Sequence, residues 1–147
     1  MGRVVWQRVR RIKGGTVLLK RTLIGLIRSH ETTGEKATRP ELKTRYYKLS
    51  RDKLWEEVIS ILKKKPGYKL LHEVKNVGEI VLEKRTVTGR VQDITLTVFS
   101  LNPLKSAIDI YSASRGSLGD LGSNYRTILD IFKSIDAKLK EHKITNQ

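Results

Sequence analysis

Ile108-Asp-Ile-Tyr-Ser-Ala-Ser-Arg-Gly-Ser-Leu-Gly-Asp-Leu-Gly-Ser-Asn124 is the stretch on which the reading of this chain turns. It has the pattern of a strand end, a glycine-rich loop and a helix start. Ile108, Ile110, Ser112 and Ser114 fall on one face at period two, and Asp109, Tyr111, Ala113 and Arg115 on the other. Gly116, Gly119 and Gly122 recur every third residue, where backbone can take positive φ or approach a neighbour closely. Asp120, Ser123 and Asn124 are N-cap residue types, and the helical spacing of Ile128, Phe132, Ile135 and Leu139 follows them. No other part of the chain gathers so much polar chemistry. The candidate ligand-binding residues are therefore Ser112, Ser114, Arg115, Ser117, Asp120 and Asn124.

This junction resembles the signature of the "domain of unknown function 1499" family. In that family a strand ending in Ser-x-Ser-Arg leads through a glycine loop into Asp-Leu-Gly-x-Asn and a helix. The matching residues are Ser112, Ser114, Arg115, Asp120, Leu121, Gly122 and Asn124. The chain departs from the pattern at Ser117, where the family has glycine, and at Thr127, where it often has a basic residue. It also lacks the upstream Asn-Cys segment. The resemblance implies a fold and a site location, and it implies no reaction or ligand.

Working upstream, Asn102-Pro103 is a turn before the Lys105–Arg115 strand. Val91–Leu101 is a strand with Ile94, Leu96 and Val98 on one face. Thr88-Gly89 turns back to Gly78–Thr86, where Ile80 and Leu82 point inward. Tyr68–Val74 is a further strand, and Pro66-Gly67 ends the helix before it. That helix is capped by Ser50 and carries the apolar stripe Trp55, Val58, Ile59 and Leu62. Leu42–Leu49 is the first strand. The order β-α-β-β-β-β-α predicts an α+β fold: a five-stranded antiparallel sheet with two helices on one face. The predicted organisation is a basic amphipathic helical segment over 1–28, a linker over 29–41, the α+β domain over 42–142 and a tail over 143–147.

The chain has 147 residues, a net charge of +15 and no cysteine. The absence of cysteine excludes disulfides and thiolate chemistry and fits a reducing, cytoplasmic setting. The charge is unevenly placed. Residues 1–30 hold eight basic side chains and no acid, whereas the remaining 22 basic residues stand against all 15 acidic ones. Trp6, Arg8, Arg10, Arg11, Lys13, Lys20 and Arg21 in this segment are candidates for a partner surface. The apolar run at 22–27 is far shorter than the ~20 residues that cross a bilayer. Two basic amphipathic pieces separated by Gly14-Gly15 suit an acidic membrane interface or an acidic protein. They equally suit docking onto the domain.

Three chemistries remain open. An anionic ligand would be held by loop amides, Ser114, Ser117 and Arg115 at a helix N-terminus. In the competing arrangement Arg115 pairs with Asp120, and Ser112, Ser114 and Asn124 satisfy backbone groups. Nucleic acid would be met by the basic excess, with Tyr46, Tyr47 and Tyr68 as stacking platforms. Catalysis by Ser114, Arg115 and Asp120 is the least supported. His30, His72 and His142 share no metal-site spacing, and no nucleophile elbow or nucleotide fingerprint is present. The sequence gives no reason to expect a cofactor or metal. The leading reading is a non-enzymatic binding domain.

Overall fold

The computed structural model describes residues 30–116 and 122–145. The basic N-terminal segment, with Trp6, Arg8, Arg10, Arg11, Lys13, Lys20 and Arg21, lies outside the described residues, as do Ser117 and Asp120. The described chain is α+β. Its strands are β1 (His30–Thr32), β2 (Arg45–Tyr47), β3 (Tyr68–Val74), β4 (Glu79–Arg85), β5 (Val91–Asn102), β6 (Lys105–Ser114) and β7 (Lys143–Ile144). Helix α1 spans Arg51–Lys64 and α2 spans Ser123–Lys138.

The sheet has seven strands where five were expected, in the order β3-β4-β5-β6-β2-β7, with β1 also paired to β6. All pairings are antiparallel. The two additional strands come from the predicted linker and tail. β6 is ten residues long, and three-residue β2 covers only Ser106–Ile108 of its free edge. β1 takes up the edge beyond, pairing with Tyr111–Ala113. Thr33 secures this addition. Its amide donates to the Ile110 carbonyl at 2.9 Å, and its hydroxyl accepts from the Ile110 amide at 2.7 Å and donates to Asp109 at 2.8 Å. A 3₁₀ turn over Pro40–Leu42 then buries Leu42 in the core. Residues from His30 to Leu42 thus pair with the sheet or pack on the core at several points.

The inward faces of β4, β5 and β6 supply Ile80, Leu82, Ile94, Leu96, Val98, Ile108 and Ile110. These pack with Leu54, Trp55, Val58, Ile59 and Leu62 of α1 and with Ile128, Ile131, Phe132 and Ile135 of α2. Each such side chain contributes about 1.5–3 kcal/mol by leaving water. Ser50 accepts a hydrogen bond from the Lys53 amide at the start of α1, and Lys63 and Lys64 lie in its last turn, opposite the negative end of the dipole. Arg51, the first residue of α1, fastens the start of the helix to the sheet by donating to the carbonyls of Val98, Lys75 and Asn76. Gly78 closes the β3–β4 turn at φ 75°, where an added Cβ would lie 2.1 Å from the Val98 carbonyl oxygen.

Candidate functional site

The inward alternation of the sheet stays apolar until it reaches the end where α2 begins. There, four neighbouring strands place Tyr68, Lys84, Gln92 and Ser114 in one transverse row, each paired in register with the next. Ser112 follows on the same face of β6. The row is covered by the start of α2, whose first buried side chains, Asn124 and Thr127, are polar, the apolar series beginning only at Ile128. A polar layer therefore replaces the hydrophobic core at this end.

Its hydrogen bonds form two linked groups. Ser112 Oγ donates to Asn124 Oδ1 at 2.7 Å, and Asn124 Nδ2 donates to Ser114 Oγ at 3.0 Å. All three residues are essentially inaccessible to solvent. Next to them, Thr127 donates to Gln92 Oε1 at 2.7 Å and Gln92 Nε2 donates to Ser123 Oγ at 2.9 Å. Lys84 Nζ reaches the Tyr68 hydroxyl at 3.2 Å and the Thr127 hydroxyl at 3.4 Å. Tyr68 donates on to Asp130 at 2.7 Å, and Lys65 lies 3.1 Å from the same carboxylate.

Lys65 and Lys84 thus both act on one carboxylate here, and Arg126 lies within electrostatic range of Lys84. Burial lowers the Lys84 pKa below the ordinary 10.5, and Lys65 and Arg126 lower it further against the pull of Asp130. Burial, then the bond to Asp130, raises the Tyr68 pKa. For Asp130, burial works upward, but the hydrogen bonds from Tyr68 and Lys65 and the two lysine charges outweigh it, and the pKa is lowered. The ammonium of Lys84 is consequently bonded to two neutral hydroxyls in a partly desolvated position.

The glycine loop joins this layer from both sides. Gly116 and Gly122, at its two described ends, have φ values of 98° and 76°. Gly122 is the N-cap of α2, with no side chain capping the helix there. Ser123, an expected cap type, instead accepts from Gln92.

The candidate residues divide across the sheet. Ser112, Ser114 and Asn124 come together on the inner face. Arg115, one position further along β6, points to the opposite, solvent-facing side. It donates to Asp93 at 2.7 Å on the neighbouring β5 and to Glu83 at 3.1 Å on β4, one strand further away. Those hydrogen bonds, Asp93 first, raise its pKa. Arg115 is thus held by carboxylates of β5 and β4, and Asp120, its partner in the expected pair, lies outside the described residues. Nor does Arg115 share a site with the serines, because the backbone of β6 stands between them. Asn124 satisfies the two serine hydroxyls, where backbone groups had been expected.

All three proposed stacking tyrosines are also engaged. Tyr47 is fully buried and donates to Asp136 at 2.7 Å, and Tyr68 is committed to Asp130. Tyr46 donates to Glu35 at 2.5 Å, which pushes its pKa up to about 12.

Sequence reasoning passed over Lys84, Gln92 and Thr127. Two of them carried a signal. Lys84 continues the inward series Ile80, Leu82, and Gln92 begins the inward series Ile94, Leu96, Val98, so both sit at core register positions.

Among the described residues, no group of three or more His, Cys, Asp or Glu side chains converges to hold a metal ion. Among the same residues, no helix is long and apolar enough to cross a membrane.

Comparison with known proteins places this geometry in a family without adding a reaction to it. No curated protein matches the chain. Among solved structures, the chain is similar to the ZhuI aromatase/cyclase from Streptomyces sp. R1128, at 13% identity and a TM-score of 0.31. That match covers 78% of this chain and 87% of the other. A likeness at that level carries no argument about fold details or activity. The sequence model of the proteins of unknown function DUF1499 matches residues 27–135, a span that includes β1, all of the polar layer and the glycine loop, and the chain belongs to that family.

Proposed function

We propose that this domain is a non-enzymatic binding module that holds a small anionic ligand where β6, the glycine loop and the start of α2 meet. The observation that carries the reading is the transverse row Tyr68–Lys84–Gln92–Ser114 at core register positions. A fold built only for stability would fill that row with apolar side chains, because desolvating an ammonium is costly without a close countercharge. Lys84 and Arg126 supply the charge, and the Ser123 and Thr127 hydroxyls and the amides of the first turn of α2 supply donors. Ser112, Ser114 and Asn124 act as the clamp that fixes the helix start on the sheet. Ser117 and Asp120, from the loop sequence between Gly116 and Gly122, are the further candidate contacts in this reading.

A thermal-shift panel of inorganic phosphate, phosphorylated metabolites and small carboxylates tests this on the full chain. Stabilisation by at least one class, clearly reduced in Lys84→Gln, is the expected result. A panel with no shift in the wild type contradicts it.

The basic N-terminal segment supplies the attachment in this reading. Trp6 and the cations Arg8, Arg10, Arg11, Lys13, Lys20 and Arg21 suit an anionic lipid surface, to which each basic side chain adds ~1 kcal/mol. Nucleic acid is the weaker reading, because Tyr47 is buried and Tyr68 is hydrogen-bonded to Asp130.

A further inference from the structure

We propose a second, independent site for a small oxyanion at the opposite edge of the sheet, between β2, β7 and the 3₁₀ turn. A cavity of about 310 Å³ opens there, lined by Pro40, Lys43, Thr44, Arg45, Lys143 and Thr145. That volume is at the small end of the ~300–1,000 Å³ typical of ligand pockets, enough for a phosphate or a short carboxylate.

Two of the three cations around the cavity, Arg45 and Lys143, are held in place by the fold. Arg45 lies over the Phe132 ring, 4.7 Å from its centroid, and donates to the Glu41 carbonyl at 3.2 Å. Its Nε is buried without a hydrogen-bond partner, 3.7 Å from Asp136 Oδ2. A guanidinium held this way is oriented without being saturated, and its planar fork suits two oxygens of one anion. Lys143 reaches Asp136 at 2.5 Å from β7, and Lys43 is exposed at the rim.

The charge balance favours an anion. Asp136 is the carboxylate shared by Arg45 and Lys143, and it also accepts from Tyr47. Glu41, the other nearby acid, is occupied by the Tyr125 hydroxyl at 2.7 Å and has Arg39 beside it. Three cations, Lys43, Arg45 and Lys143, therefore line the cavity, and no acidic side chain is among its lining residues. Thr145 adds a hydroxyl to the cavity wall, whereas the Thr44 hydroxyl is turned away to Asp109.

The test is a titration of the ¹⁵N-labelled full chain with inorganic phosphate and, separately, citrate, followed by amide resonances. The expected result is a saturable shift of the 43–45 and 143–145 amides with at least one of them. Lys43→Glu should weaken that binding roughly fivefold or more, as loss of an exposed charge contact allows. Because Lys43 is exposed, the variant's spectrum will otherwise match the wild type, which also checks that it is folded. Lys84→Gln should leave this site untouched, which separates it from the junction site. Shifts confined to the 122–127 amides, or shifts at 43–45 and 143–145 that never saturate or are unchanged in Lys43→Glu, would overturn the proposal.

Discussion

Lys84 Nζ lies 3.4 Å from Thr127 Oγ1, so a lysine on the inward face of β4 closes directly on the first turns of α2. This contact joins an internal position of the sheet to the helix start that the glycine loop leads into. Its energetic sign is unfavourable at neutral pH, because burial is the largest influence on the Lys84 pKa and lowers it.

That sign gives the first prediction. Between the lowered folded value and 10.5, the unfolded chain holds a proton on Lys84 that the folded chain does not. Stability from this group therefore rises with pH through that window. Lys84→Met, which fills the space without the charge, should be at least as stable as the wild type at pH 7. The gap should narrow as pH rises toward about 9.5, below the range in which tyrosines titrate. Urea midpoints of the two proteins across that range check this. A variant clearly less stable at pH 7 would mean that Lys84 is a net structural contributor.

The Ser112–Asn124–Ser114 clamp predicts a different outcome. Asn124→Leu leaves two buried hydroxyls without their partner and should cost about 2–4 kcal/mol, whereas Ser114→Ala, which removes one bond, should cost about 1 kcal/mol. Equilibrium denaturation of the two variants compares them. Equal costs would show that the asparagine is not the centre of the clamp.

Arg115 predicts little. Its carboxylate partners are on the solvent-facing side, and 46% of its side chain is exposed. Arg115→Ala should change stability by no more than about 1 kcal/mol. It should also leave anion binding at the junction intact. Loss of binding in this variant would move the ligand to the outer face of the sheet.

Gly78 and Gly89 both have positive φ, but only Gly78 is crowded. Gly89→Ala should cost about 1 kcal/mol from backbone strain alone. Gly78→Ala must in addition displace the Val98 carbonyl, which accepts from Arg51, and should exceed 2 kcal/mol, roughly twice the strain cost. Thermal unfolding of the two variants separates these effects.

Most of the fold could be read from the chain because the long elements obey a clear period. β4, β5 and β6 alternate, and the stripe of α1 recurs at helical spacing. β1 and β7 could not be read that way. His-Glu-Thr and Lys-Ile are too short and too polar to show alternation, and they become strands only because β6 and β2 offer free edges. The site was legible in part. Alternation alone puts Arg115 opposite Ser114, which separates the arginine from the serines. The lysine at the inward position after Ile80 and Leu82 was equally visible. The Tyr47–Asp136 bond was not, since it spans 89 positions and depends on how α2 crosses the sheet.

The N-terminal segment is tested by co-sedimentation of the full chain with anionic vesicles. Reversing Arg8, Arg10 and Arg11 to glutamate should abolish binding at physiological salt. Binding that survives the reversal would assign attachment to the domain itself.

The most direct test of the central claim is calorimetric titration of the full chain with inorganic phosphate, repeated with Lys84→Met and Arg115→Ala. Binding is expected in the wild type and in Arg115→Ala, with loss of roughly tenfold or more in affinity in Lys84→Met, as removal of a partly desolvated charge contact implies. Equal affinity in all three proteins, with Lys84→Met folded, would contradict it: the inner-face polar layer would then be a structural seam and the ligand would lie elsewhere.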